Sequence, residues 1–136
     1  FHRKLEESNA ELILADIDYE FDKSHNAKKF DIISSYYVFE HLINLKEIMK
    51  NFSNVLSKNG IIIIEVPDIN KYDKDYSGLI FEHQQHFSRD SLKRLMSLFN
   101  FAEIFYSNKL QSRKFGFVSA FKSCVTNKLT KVIIIN

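Results

Sequence analysis

The residues best suited to chemistry stand in three short groups along the chain. Asp16 follows one apolar run, Tyr36 and Tyr37 follow a second, and Glu82 and His83 belong to the phrase FEHQQHF. An imidazole titrates near neutral pH and can remove a proton from a group within hydrogen-bond reach. A carboxylate accepts hydrogen bonds, and an aromatic face attracts a cation. These groups are suited to proton transfer and to the binding of a polar or cationic ligand.

The apolar pattern predicts the strands that position these groups. Residues 11–16 and 30–38 are each expected to form a short strand, joined by a polar stretch long enough for a parallel crossover. Residues 61–66 (IIIIEV) are β-branched except for Glu65 and do not alternate, which favours a strand covered on both faces. Ligands of such sheets bind beyond the carboxyl ends of the parallel strands, so the polar residues that follow the strands are expected to share one cleft.

Two helices are predicted between the strands. The apolar residues of 45–56 recur every three or four positions, which is typical of one helical face. Asn44 is expected to cap this helix, with Glu47 as the reciprocal capping-box residue and Gly60 as a left-handed terminator. The second helix is expected to begin after the cap Ser88 and to bury an apolar stripe.

The end of the chain predicts a hairpin. Residues 101–106 and 115–121 are expected to be antiparallel strands joined by a polar turn. The order of elements therefore predicts an α/β sheet that is parallel inside and antiparallel at one edge. Residues 68–87 carry no clear period, and connections of this length are usually functional or disordered.

Composition limits the class of protein. The 136 residues are 45% hydrophobic and 26% charged, which describes one globular domain. The formal charge of +2 argues against a nucleic acid or an anionic membrane as partner, and no apolar run has the roughly 20 residues of a membrane span. The single cysteine, Cys124, excludes an internal disulfide and favours a reducing compartment, so a cytoplasmic location is expected.

Three phrases, taken in order, resemble the second half of a class I S-adenosylmethionine-dependent methyltransferase, and the resemblance covers roughly residues 10–121. The phrases are FDIISS at 30–35, VFEHL at 38–42 and LSKNGIIIIEVP at 56–67. The resemblance implies a Rossmann-like sheet, S-adenosylmethionine as cofactor and methyl transfer to an O or C atom of a small molecule. A sugar or a lipid precursor is a candidate acceptor.

The resemblance also implies roles for single residues. Asp16 matches the acidic residue that accepts a hydrogen bond from the adenine amino group, and the Ile17 amide would meet a ring nitrogen. Ser35, Tyr36 and Tyr37 match the strand end that lines the methyl-donor and acceptor cavity. Only one of the two tyrosines is expected to line the cavity, because alternation along a strand places neighbouring side chains on opposite faces.

His83 is the candidate catalytic base. FEHQQHF resembles the phrase EH-x-x-aromatic-Phe-Ser of deoxysugar C-methyltransferases, in which the histidine is a candidate base, and Glu82-His83 falls on its EH. His86 replaces the aromatic residue, so the match is incomplete. The alternative is a loop histidine that caps the Ser88 helix or packs on Phe87.

A second resemblance concerns a divalent ion. In small-RNA 2′-O-methyltransferases a Glu-x-x-Glu-His phrase and a later His-rich phrase bind metal, and that alternative predicts convergence of Glu40, His41 and either His83 or His86. Here the first Glu of the motif falls on Tyr37, which cannot replace a carboxylate for a hard cation. We therefore predict no metal ligands and interpret Glu40-His41 as structural.

The sequence also departs from the family. The glycine-rich turn that holds the amino-acid end of the cofactor is absent, as is the acidic end of a second strand, and the three glycines stand alone. We therefore expect residues 1–123 to be a partial methyltransferase domain that lacks its first strands, followed by a tail at 124–136. The alternative is a non-catalytic methyltransferase-like module whose sheet edge or long loop makes protein contacts.

Overall fold

The computed structural model describes residue 17, residues 29–72, 81–109 and 116–123, and the backbone of Val132–Ile135. The predicted helix at 1–8 and strand at 11–16 lie outside these residues. The elements are β1 (Phe30–Tyr36), α1 (Leu45–Val55), β2 (Leu56–Pro67), α2 (Arg89–Ser97), β3 (Phe101–Ser107), β4 (Gly116–Ser123) and β5 (Val132–Ile135), with 3-10 turns at Phe39–His41 and Ile69–Lys71.

The strands form one mixed sheet in the order β3-β4-β2-β1-β5. β1 pairs in parallel with both β2 and β5, whereas β4 pairs antiparallel with β2 and β3. This arrangement confirms the predicted parallel core with an antiparallel hairpin at one edge. The backbone of β5 lies within the segment predicted as a tail. Within the described ranges, no helix combines the length and the apolar character needed to cross a membrane.

The pairing of β1 with β2 sets the edge at which a ligand can bind. Ser35 is opposite Ile64 and Tyr36 is opposite Glu65, so both strands reach their carboxyl ends together. Along β2, Ile62 and Ile64 are fully buried while Ile63 between them is only partly buried. The isoleucine run therefore alternates in burial, although its sequence does not alternate in type.

Helix α1 has the predicted buried face but lacks the predicted cap. Asn44 is the residue before the helix, yet its side chain makes no capping hydrogen bond. The Glu47 carboxylate accepts a hydrogen bond from Lys50 Nζ at 2.9 Å, so the predicted capping box is wrong. The buried apolar residues of the helix are Ile48, Met49, Phe52 and Val55.

Gly60 has a different role from the one predicted. Helix α1 ends at Val55, and Gly60 lies inside β2 without a positive φ, so it is not a left-handed terminator. A Cβ at this position would lie 2.2 Å from Leu56 Cγ. The glycine is required because Leu56 fills the space that a side chain would need.

Helix α2 begins at the predicted cap. The Ser91 amide donates to Ser88 Oγ at 3.2 Å, and the Ser88 amide donates to Ser91 Oγ at 2.9 Å, which forms a reciprocal capping box. Asp90 lies in the first turn, where the helix dipole favours a negative charge. Leu92 and Met96 are fully buried on the inner face.

An ion pair fixes α2 to the hairpin. Arg89 Nη2 donates to Glu103 Oε2 at 2.8 Å, Ser119 Oγ donates to Glu103 Oε1 at 3.1 Å, and the guanidinium lies 4.1 Å above the Tyr106 ring. Burial alone raises the pKa of Glu103, but the hydrogen bonds from Arg89 and Ser119 outweigh it and leave the pKa below its usual value. The Glu103 carboxylate is therefore charged when the fold is intact at neutral pH.

Two leucines test the position of the core. Leu92 is fully buried in α2, whereas Leu98 at the end of the same helix is 78% exposed. We expect Leu92→Ala to lower the free energy of unfolding by about 2–5 kcal/mol, because it removes buried methyl groups and leaves a cavity. Leu98→Ala should change it by about 0.5 kcal/mol or less. Chemical denaturation measures both, and equal losses would contradict the described packing.

The lowered pKa of Glu103 predicts that the stability of the fold depends on pH. Its folded-state pKa is below the unfolded value, so its contribution is present above about pH 4.3 and is lost as the pH falls through the folded pKa. We expect wild type to be more stable than Glu103→Gln at pH 7, with a difference that shrinks in acid. Denaturation curves over a pH series measure this, with Glu47→Gln at an exposed carboxylate as control. A difference that does not vary with pH would contradict the assignment.

Candidate active site

The chain reverses direction where β1 ends. Tyr37 adopts a left-handed conformation with φ of 56°, and its amide donates to the Glu65 carbonyl at 2.9 Å. This conformation costs a non-glycine residue about 1 kcal/mol or more, and residues held in it are concentrated at functional sites. The reversal leads directly into the 3-10 turn Phe39–His41, which therefore lies at the carboxyl edge of the parallel strands.

The described residues include four of the five predicted to bind the cofactor, and Asp16 lies outside them. Ile17 lies in a turn and packs partly buried against the core. Ser35 is 1% exposed, and its Oγ has no hydrogen-bond partner within the described part of the chain. Tyr36 is 39% exposed while Tyr37 is partly buried, so Tyr36 is the tyrosine whose ring is open to a ligand.

Main-chain hydrogen bonds hold the His-rich phrase at the same edge. The Gln85 amide donates to the Glu40 carbonyl at 2.9 Å, and the Ile69 amide donates to the Phe87 carbonyl at 2.9 Å. The Phe87 ring is buried, with its centroid 6.5 Å from that of Phe39. The phrase is therefore anchored both to the turn after β1 and to the segment after β2.

The anchoring brings three histidines together. The ring centroids of His41 and His83 are 4.9 Å apart in an edge-to-face arrangement, and those of His83 and His86 are 6.0 Å apart. His41 Nδ1 lies 3.1 Å from the Glu82 carbonyl oxygen. A carbonyl can only accept, so the neutral His41 ring carries its proton on Nδ1 and keeps the lone pair on Nε2.

His83 and His86 are both partly buried, whereas His41 is exposed. The Nδ1 atoms of His83 and His86 are buried without a hydrogen-bond partner among the described residues. Burial, followed by the proximity of His41 and His86, lowers the pKa of His83, and Glu82 opposes this effect. The ring is therefore neutral at pH 7 and has a lone pair that can accept a proton.

Glu40 belongs to the same cluster, where the sequence placed it only under the metal-dependent alternative. The residue is 2% exposed. Glu40, His41 and His83 each offer a ligand atom, and these atoms all lie within 4.8 Å of one another. The convergence that the metal-dependent alternative requires is thus present, although Tyr37 stands where the motif has its first carboxylate.

Tyr72 is a further member that sequence reasoning missed. Its ring lies edge-to-face with His86 at a centroid distance of 6.0 Å, and its buried hydroxyl has no hydrogen-bond partner in the described ranges. Burial, and then the nearby Glu40 and Asp68 carboxylates, raise the pKa of Tyr72. The residue follows Pro67 in a stretch without period, so its aromatic type was the only signal in the sequence.

A family model described as a methyltransferase domain matches residues 2–104 of the chain. The chain belongs to this methyltransferase family. The match confirms the resemblance to class I S-adenosylmethionine-dependent methyltransferases. A search of curated proteins gave no significant sequence match.

Solved structures show the same fold. A SAM-dependent methyltransferase from Archaeoglobus fulgidus superposes with a TM-score of 0.66 at 16% identity, over 89% of this chain and 71% of that one. An S-adenosylmethionine-dependent methyltransferase from Clostridium acetobutylicum gives 0.61 at 14% identity, over 90% and 69%. The N-methyltransferase NodS from Bradyrhizobium japonicum, in complex with S-adenosyl-L-homocysteine, gives 0.63 at 14% identity, over 90% and 59%.

Proposed function

We propose that this methyltransferase transfers a methyl group from S-adenosylmethionine to an O or C atom of a small molecule, with His83 as the general base. The observation that carries the proposal is the position of His83. A neutral histidine with an unpartnered buried nitrogen lies among the described residues at the carboxyl edge of the parallel strands, where α/β sheets bind their ligands.

The proposed cofactor site includes residues at the carboxyl end of β1. Tyr36 exposes its ring there, and an aromatic face suits either the adenine or the positive sulfonium. The buried Ser35 hydroxyl, unpartnered within the described chain, is available to a polar group of the cofactor. Asp16 is proposed to accept the adenine amino hydrogen, and the Ile17 amide to meet a ring nitrogen. When bound, S-adenosylmethionine supplies a methyl group that is already activated for in-line displacement.

Methylation of the acceptor requires the transfer of a proton from the acceptor to a base. The acceptor atom loses a proton to the His83 imidazole as it gains the methyl group, and no covalent nucleophile of the chain is required. His86 borders His83, Tyr72 borders His86, and both rings carry polar groups that an acceptor can meet. A hydroxylated small molecule such as a sugar or a lipid precursor suits these groups. The single cysteine favours the cytoplasm as the place of the reaction.

The cofactor proposal is tested by calorimetry on the intact protein. We expect S-adenosylmethionine to bind, and Tyr36→Ala to weaken its affinity about fivefold, because an exposed cation–aromatic contact contributes on the order of 1 kcal/mol. Phe105→Ala is the matched control, since Phe105 is an exposed aromatic residue of β3, with β4 and β2 between it and β1. Absence of binding to wild type would favour the non-catalytic module, and equal affinities would remove Tyr36 from the cofactor site.

The role of His83 is tested by turnover. We expect His83→Ala to lower kcat about 100- to 10,000-fold, the usual contribution of a positioned base, without changing the affinity for S-adenosylmethionine. Gln84→Ala changes the exposed neighbouring residue and should leave kcat unchanged. Initial rates with saturating cofactor measure both variants, and wild-type turnover in His83→Ala would exclude His83 as the base.

A further inference from the structure

The cluster of Glu40, His41 and His83 has the composition of a metal-ligand set. Its three ligand atoms lie within 4.8 Å of one another and come from two separate segments of the chain. In a tetrahedral site with metal–ligand distances near 2.1 Å, the ligands are about 3.4 Å apart. Side-chain torsions of two imidazoles and a carboxylate can close the remaining gap of at most about 1.4 Å without movement of the backbone.

The surroundings already orient one of these ligands. The Glu82 carbonyl accepts the Nδ1 proton of His41 and leaves Nε2 with a lone pair, which is the outer contact that metal-bound histidines usually make. His83 Nδ1 is buried and has no hydrogen-bond partner among the described residues. The Gln85 amide bond to the Glu40 carbonyl fixes the two segments relative to each other. The two segments and the His41 ring are thus in place before an ion binds.

Ligand chemistry decides the class of ion. Two imidazole nitrogens and one carboxylate oxygen suit Zn²⁺ and similar transition metals, whereas Mg²⁺ and Ca²⁺ prefer oxygen ligands alone. Glu40 is buried, and a cation beside it offsets the cost of burying its charge. His41 is exposed, which gives an ion access from solvent and leaves a coordination position open.

We propose that Glu40, His41 and His83 bind one divalent transition-metal ion of the Zn²⁺ type. The site uses His83, the residue assigned above as the base. An imidazole whose lone pair coordinates a metal cannot accept a proton through that nitrogen. If the proposed function is correct, on which this consequence alone rests, occupancy by the ion slows methyl transfer.

Binding is measured by equilibrium dialysis of the metal-free intact protein against Zn²⁺, with Co²⁺ absorption as a report on coordination. We expect one equivalent per chain, and at least tenfold weaker binding in His41→Ala and in His83→Ala. Glu82→Gln is the matched control, because Glu82 is an exposed carboxylate in the same loop but outside the ligand set. It should bind as wild type does.

Two results would overturn the site. One is the absence of saturable binding, and the other is wild-type affinity in the double variant His41→Ala/His83→Ala, which would place the ion elsewhere on the chain. Both substitutions are at residues that are not fully buried, and circular dichroism confirms that the variants fold. Glu40→Gln adds a third ligand test if it folds.

A separate activity measurement distinguishes the ion site from the proposed reaction. With Zn²⁺ binding established by dialysis, we expect saturating Zn²⁺ to lower turnover at least tenfold relative to chelator-treated protein. Saturable Zn²⁺ binding without any binding of S-adenosylmethionine would support the ion site and refute the proposed function. Turnover that is unchanged by bound Zn²⁺ would likewise support the ion site and refute His83 as the base.

Discussion

The parallel register of β1 and β2 is the constraint on which the rest of the structure depends. Tyr36 is opposite Glu65, so the two strands end at one edge and their following segments leave the sheet side by side. A shift of one residue would move every side chain of a strand to the opposite face. The register therefore decides both which isoleucines enter the core and which polar residues meet at the edge.

Main-chain hydrogen bonds, rather than side-chain pairs, position the histidine-containing loop at this edge of the sheet. The amides of Gln85 and Ile69 connect the His-rich phrase to the turn after β1 and to the segment after β2. The buried Phe87 ring adds an apolar anchor next to Phe39. The backbone therefore fixes the positions of these segments, and the Nδ1 atoms of His83 and His86 keep no hydrogen-bond partner among the described residues. His41 is oriented in addition by its contact with the Glu82 carbonyl, so the site is preorganised by its surroundings.

Much of the fold could be predicted from the sequence, because it depends on periodicity. The buried face of α1, the cap at Ser88 and the antiparallel hairpin follow from local patterns. The capping box at Asn44 and the role of Gly60 were wrong, because Glu47 pairs with Lys50 in the next turn and Gly60 lies against Leu56 inside β2. Local patterns could not place Tyr72 beside His86, and Glu40 was expected beside His83 only in the metal-dependent alternative that the resemblance supplied. The roles of Asp16, Ser35, Tyr36 and His83 in binding and catalysis stay predictions.

The contact of Gly60 with Leu56 has a consequence for how this strand can vary in evolution. Both residues belong to β2, and the leucine side chain occupies the volume in which a side chain at position 60 would begin. Because the glycine has an ordinary backbone conformation, only this crowding excludes alanine there. A smaller residue at position 56 removes the crowding, so relatives are free to exchange the pair jointly. The effect of a substitution at position 60 therefore depends on the residue at position 56, and the reverse also holds.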